Sequence, residues 1–344
     1  MRTNPRRTDA FPPTPGTATD ADPAAGRRRT RRRKRLRILA LAALIAVGLG
    51  LVSTVANLLL ERQERASISP YGERIEIAGG TVNVYRNGQP GQPIVLLSGL
   101  GTAAPALDFA PLIRELGDYN VTVVEGFGYG YSDMSAGERS NKNISTELHE
   151  VLAKLNIPQP YVLAGHSIAG FYMLDYTNRY PAEVAAVIGI DVTVPKATSG
   201  PVEVQSGGVD VLRLLAVTGV VRAALAVAPA LGEPDGDAYT PEERERMRLM
   251  TIWNFGSPAV ADETARIGNN ASDLRGISYP DSLPVLAFVA DAGSPEAAGK
   301  AESLGNLLKN VQRHKIVPLA GGHYLHWTQS KPMAEEIRTF LESR

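Results

Sequence analysis

Ser167 stands in the run Gly165-His166-Ser167-Ile168-Ala169-Gly170, directly after the apolar stretch Tyr161 to Ala164 and directly before the helix-like stretch Phe171 to Tyr180. A strand, a Gly-x-Ser-x-small turn and a helix in immediate succession force the serine into a tight turn, and small residues on either side let the backbone approach closely. Such a turn lifts a hydroxyl above the sheet edge, and the helix N-terminus behind it favours developing negative charge. The chemistry this suits is nucleophilic attack by an activated hydroxyl, which needs a base. Only five histidines are available: His149, His166, His314, His323 and His326. His323 is the candidate, because Gly321-Gly322-His323 follows the last apolar strand, and a loop there reaches back over the sheet to Ser167. The N–H groups of Leu100 and Ile168 are expected to hold the oxyanion, since Ser98-Gly99-Leu100-Gly101 ends an earlier strand facing the serine. The chain has no cysteine, which excludes thiolate metal sites, cysteine nucleophiles and disulfides. No His/Asp/Glu group has metal-ligand spacing, and the glycines at 126, 128 and 130 lack the full dinucleotide pattern, so no metal and no cofactor is expected.

The elements that must position these residues alternate strand and helix. Glu73 to Ile77 and Thr81 to Tyr85 flank Ala78-Gly79-Gly80 and read as a hairpin. Pro93 to Leu97, Val121 to Val124, Tyr161 to Ala164, Val184 to Ile190, Pro284 to Ala290 and Arg313 to Val317 are short apolar runs separated by helical patterns. This alternation predicts an α/β fold with a mostly parallel central sheet. Residues 192–282 interrupt it with about ninety residues that hold no strong strand, too long for a loop. They are expected to form a helical cap, with one apolar helix over Val209 to Ala230 and another opened by Thr240-Pro241-Glu242-Glu243. Arg213 and Arg222 inside the first of these argue against a second membrane span, since each central Arg costs about 3 kcal/mol on insertion scales.

The net charge of zero, 36 basic against 36 acidic residues, is a sum of unlike parts. Residues 1–37 hold twelve Lys/Arg and three Asp, a net of +9, and the remaining residues carry −9. Nine of the eleven positions from Arg27 to Arg37 are basic, and Ile38 to Leu60 follows with no charge for 23 residues. As a helix this stretch is about 35 Å long at 1.5 Å per residue, enough for a hydrocarbon core of about 30 Å. The expected order is a disordered basic cytoplasmic tail (1–37), an uncleaved transmembrane anchor (38–60), a linker (61–72), a core (73–191 and 283–344) and the inserted cap (192–282). The basic block reads as the cytoplasmic flank of the span rather than as a nucleic-acid site, so the bulk of the chain faces outward.

From about Arg74 onward the chain resembles the α/β-hydrolase fold superfamily, serine hydrolases and esterases in particular. The resemblance rests on Gly165 to Ala169 as the nucleophile turn, Gly99-Leu100-Gly101 as the first oxyanion loop, Gly128-Tyr129-Gly130-Tyr131-Ser132 as a G-x-G-x-S segment and His323-Tyr324-Leu325-His326-Trp327 as the histidine loop. It implies that Ser167 is the nucleophile, His323 the base and an aspartate the third member. Asp191 and Asp291 both follow a strand and keep the order Ser, Asp, His, so both remain candidates, with Asp191 ahead. Serine at this position argues against the dehalogenase and epoxide-hydrolase branches, which need Asp. Gly99, Tyr129, His326 and Trp253 are the expected pocket residues. The implied activity is hydrolysis of a carboxylic ester, less readily an amide, of small-molecule or lipid-like character. Acyl transfer on the same residues and a non-catalytic ligand-binding role are the alternatives.

Overall fold

The computed structural model describes residues 23–195 and 210–343. The expectation of disorder over residues 1–22 lies outside the described residues. The chain divides into two units, Met1–Val52 and Ser53–Arg344.

Helix α1 (Pro23–Ser67) supplies all that is described of the first unit and continues into the second. Within the first unit its apolar side chains are exposed, Leu44 at 70% and Leu49 at 66%. By length and composition it can cross a membrane. The helix exceeds the expected span at both ends. The basic block is helical rather than irregular, consistent with the high helix propensity of Arg and Lys. The expected linker is helical as far as Ser67, where Arg65 pairs with Glu61 one turn earlier at 2.9 Å.

In the second unit an eight-stranded sheet has the order β1-β2-β4-β3-β5-β6-β7-β8. Strands β1 (Glu73–Ile77) and β2 (Gly80–Arg86) form the expected hairpin, and β2 runs antiparallel to β4 (Asn120–Glu125). The others are parallel: β3 (Pro93–Leu97), β5 (Tyr161–His166), β6 (Val184–Ile190), β7 (Val285–Val289) and β8 (His314–Pro318). Helices α2 (Pro105–Asp108) and α3 (Ala110–Glu115) follow β3, α4 (Asn141–Lys154) follows β4, and α5 (Ala169–Arg179) follows β5. The central strands are apolar on both faces because helices cover both. Leu148 and Val151 of α4 and Met173 of α5 pack on one face. Leu112 of α3 packs on the other, beside Met333 and Ile337 of the closing helix.

Between β6 and β7 lie α6 (Val211–Val217), α7 (Val220–Val227), α8 (Pro241–Asn254), α9 (Pro258–Ala265) and α10 (Ile267–Asp273). The single apolar helix expected over Val209 to Ala230 is two helices. Gly219 at φ +81 ends the regular pattern, a left-handed conformation that no other nearby residue type adopts cheaply. The start of α8 is as expected, a capping box between Thr240 and Glu243. Trp253, Met250 and Ile252 of α8 centre a third apolar cluster, which these helices share with Ala104 and Ala110 after β3. After β7 come α11 (Pro295–Leu307), then β8, α12 (Leu325–Thr328) and α13 (Ser330–Glu342).

Candidate active site

Ser167 occupies the turn between β5 and α5 with φ +55. That left-handed backbone costs a serine on the order of 1–3 kcal/mol. It is held by hydrogen bonds on both sides: the Ser167 N–H donates to Ile190 O at 3.1 Å, and its carbonyl accepts from Thr193 N at 2.8 Å. The turn thus points the Ser167 hydroxyl away from the sheet, toward the loop after β8. There the imidazole of His323 stands with Nε2 2.9 Å from Ser167 Oγ. Its Nδ1 lies 2.5 Å from Asp191 Oδ2.

Asp191 follows β6, adjacent to β5 in the sheet, and is 4% exposed. Burial by itself would raise its carboxyl above the ordinary range. Hydrogen bonds from His323, from Lys300 and from the Ala290 N–H outweigh burial and hold it at about 2. Lys300 Nζ sits 2.7 Å from Asp191 Oδ2 and donates to the Asp191 carbonyl at 2.8 Å; the Ala290 N–H reaches Oδ1 at 3.0 Å. Asp291 follows the next strand outward and is exposed, with φ +54 and its N–H bonded to Gly321 O. It is not the residue brought to His323.

The loop after β3 lies close against this group. A Cβ on Gly99 would meet His166 Nδ1 at 2.7 Å and Ser167 Cβ at 3.1 Å, so only glycine permits the approach. Among the described residues, the N–H groups of Leu100 and Ile168 make no protein hydrogen bond. The Gly101 N–H donates to Tyr129 Oη at 3.4 Å, and the Tyr129 hydroxyl donates to Glu263 Oε2 at 2.8 Å. Glu263, on α9, also accepts from Tyr172 Oη at 2.5 Å; burial raises its carboxyl against these donors. Sequence reasoning missed Glu263 and Lys300, since one acid or base on a helix carries no signal of what it will face.

His166 is buried, and its Nε2–H donates to the His323 carbonyl at 3.0 Å, holding the backbone of the residue beside it in space. Burial, then the neighbouring His326 and His323, push its ring well below the usual histidine range, which keeps it neutral. Two expected pocket residues stand elsewhere. His326 is fully buried with Nε2 2.7 Å from Asp108 Oδ2, a carboxylate that also accepts from Trp327 Nε1 at 2.8 Å. Trp253 is 2% exposed, its indole N–H donating to Glu64 at 3.0 Å. Tyr129 does line a cavity of about 440 Å³, together with Leu100, Gly101, Leu212, Phe255 and Val260. A second cavity of about 430 Å³ is bounded by Gly101, Leu231, Met247 and Trp327. Among the described residues no group of three or more His, Cys, Asp or Glu is placed to hold a metal ion.

Residues 92–213 match the family described as alpha/beta hydrolase fold. The chain is 28% identical over 237 residues to the uncharacterized protein YbdG of Bacillus subtilis, covering 66% of this chain and 71% of that one. It is 29% identical over 136 residues to Lipase 1 of Psychrobacter immobilis, which is 37% of this chain and 42% of the lipase. The crystal structure of epoxide hydrolase A from Mycobacterium thermoresistibile superposes with a TM-score of 0.59 at 18% identity, over 80% of this chain and 99% of that one. At that identity the likeness is one of fold.

Proposed function

The chain belongs to the α/β-hydrolase fold superfamily and is a hydrolase of esterase or lipase kind, and on that premise we propose that it cleaves a carboxylic ester through an acyl-enzyme on Ser167. The observation that carries this reading is the unbroken relay Ser167 Oγ, His323, Asp191, at 2.9 and 2.5 Å. Ser167 Oγ attacks the ester carbonyl while His323 Nε2 takes its proton; the same nitrogen returns it to the leaving alcohol. Asp191, ionised throughout the physiological range, accepts the Nδ1–H and keeps the imidazole in the tautomer that leaves Nε2 free. The unengaged N–H groups of Leu100 and Ile168 receive the oxyanion. Water then attacks the acyl-enzyme by the same route and restores the serine. A serine at this turn supports ester cleavage over the epoxide opening performed by the structural relative named above.

We further propose that α1 anchors the enzyme in a membrane through residues 38–60, with the basic flank cytoplasmic and the residues after 60 outside. Supporting this are the 23 uncharged residues, the basic block before them and their exposed apolar side chains.

A fluorophosphonate probe tests the chemistry. The expected result is labelling of the full chain that disappears in Ser167→Ala; a folded Ser167→Ala protein that still labels at the same site overturns the assignment. N-terminal sequencing of the membrane fraction tests the anchor, and a mature chain starting near Asn57 would overturn it.

A further inference from the structure

Helices α6 and α7 and the turn after them, residues 211–232, form the most apolar surface of the hydrolase unit. Val211, Leu212, Leu214, Val220, Val227 and Leu231 are exposed there, Val227 at 87%. A soluble surface does not ordinarily gather so many large apolar side chains in one place. The segment holds only two charges, Arg213 and Arg222, and both turn inward. Arg213 Nη1 donates to the Trp253 carbonyl at 3.4 Å. Arg222 makes a two-pronged ion pair with Glu64 at 2.6 and 2.9 Å, and its Nε donates to Asn57 Oδ1 at 2.8 Å. The outer face is therefore free of charge, so the objection that Arg raises against lipid contact does not apply to it.

The turn between α6 and α7 also has a defined place along the anchor. Ser53 Oγ donates to Thr218 O at 2.7 Å, and Asn57 Nδ2 donates to Ala216 O at 3.2 Å. Both residues lie within the uncharged stretch that ends at Leu60. At 1.5 Å per residue, Ser53 is about 10 Å and Asn57 about 5 Å short of that end. Helices that lie in a bilayer interface bury their apolar face about 5–10 Å into the headgroup/acyl boundary. Val55, Leu58 and Leu59 of α1, which lie on the side of that helix away from the Ser53–Asn57 face, are exposed as well.

We propose that α6 and α7 lie in the interfacial layer of the bilayer that holds the anchor, with lipid acyl chains against Leu214 and Val220. This rests on the membrane reading above. Both cavities beside the oxyanion loop take one wall from this surface, Leu212 in one and Leu231 in the other. The site is thereby placed at the level from which a lipid-borne ester is drawn.

The absence of cysteine allows a direct test. Full-length Leu44→Cys, Leu214→Cys, Val220→Cys and Lys309→Cys are each labelled with an environment-sensitive fluorophore and reconstituted in phosphatidylcholine vesicles containing spin-labelled lipid. Lys309 is exposed in the turn after α11, beside residues 274–278 and outside the 211–232 surface. Quenching at Leu44, Leu214 and Val220 at least twofold above that at Lys309 is expected. Quenching at Leu44 alone overturns the proposal and leaves the anchor standing; quenching at none overturns both. A blue-shifted but unquenched label at Leu214 means that protein, such as a second copy, covers the surface, and also overturns it.

Discussion

The Asp191 carboxylate accepts from three directions, an imidazole, an ammonium and a backbone N–H, whereas Asp291 faces solvent. Asp191→Asn should lower kcat by on the order of 10⁴, because the amide favours the wrong histidine tautomer. Asp291→Asn should leave kcat within about twofold, as a surface change does. A steady-state comparison on one ester decides between them. The depressed pKa also sets a stability window. A carboxyl that titrates at about 2 when folded and at its ordinary value when unfolded stabilises the fold above pH 4, and that stabilisation is lost as pH falls toward 2. The stability difference between the native chain and Asp191→Asn, measured by denaturant titration, should shrink between pH 4 and pH 2. Both aspartates end an apolar strand and both have a positive φ, 44° and 54°. What separates them is sheet order: β6 neighbours β5, and β7 lies one strand further out. Two parallel strands of similar composition do not announce which will be inside, so the sequence alone left the acid open. Ser167 and His323 were legible because their turns are tied to glycine patterns and chain order.

Strands were legible for a related reason: a buried parallel strand is a short, unbroken apolar run, and six such runs stand at their expected places within two residues. The break in the first cap helix was hidden, because Gly219 sits within continuous apolar sequence and its left-handed φ is a tertiary choice, made where a Cβ would come within 3.3 Å of Asn57 Cβ and Ser53 Oγ. The segment after β4 illustrates a stricter demand. The buried Glu125 accepts from Tyr71 Oη, Asn83 Nδ2, Tyr131 N and Ala106 N, four donors that reduce the burial cost of a carboxylate without cancelling it, so burial still raises its carboxyl above the ordinary range. Gly130 passes directly over it, and a Cβ there would come within 1.6 Å of Glu125 Oε2. Gly130→Ala combines that clash with a φ of +54°, and should cost about 2–4 kcal/mol, read as a lower denaturant midpoint. A change confined to Tm with unaltered denaturant midpoint would contradict it.

At the scale of the whole chain, the charge balance of zero conceals a division, +9 in the first 37 residues and −9 in the rest, on opposite sides of an uncharged stretch. Arg222 is set against the end of that stretch, where it pairs with Glu64 and bonds Asn57. Arg222→Ala leaves Glu64 and Asn57 short of their partner and should destabilise the second unit by about 1.5–3 kcal/mol, the range for a charge-assisted hydrogen bond. Thermal denaturation in detergent micelles measures it, and restoration by Arg222→Lys should be partial, since Lys cannot form the two-pronged contact.

Ser53, Asn57 and Glu64 recur at intervals of four and seven residues, which puts all three on one stripe of α1. That stripe meets Thr218, Ala216 and Arg222, and through Glu64 also Trp253. The C-terminal turns of α1 are thus masonry of the cap and not merely a tether. Cutting the gene at Ile68 to obtain a soluble enzyme would pull out that course and strand an arginine and an indole N–H. A truncation that begins at Ser53 keeps the masonry intact and is the one to express, in detergent, for crystals.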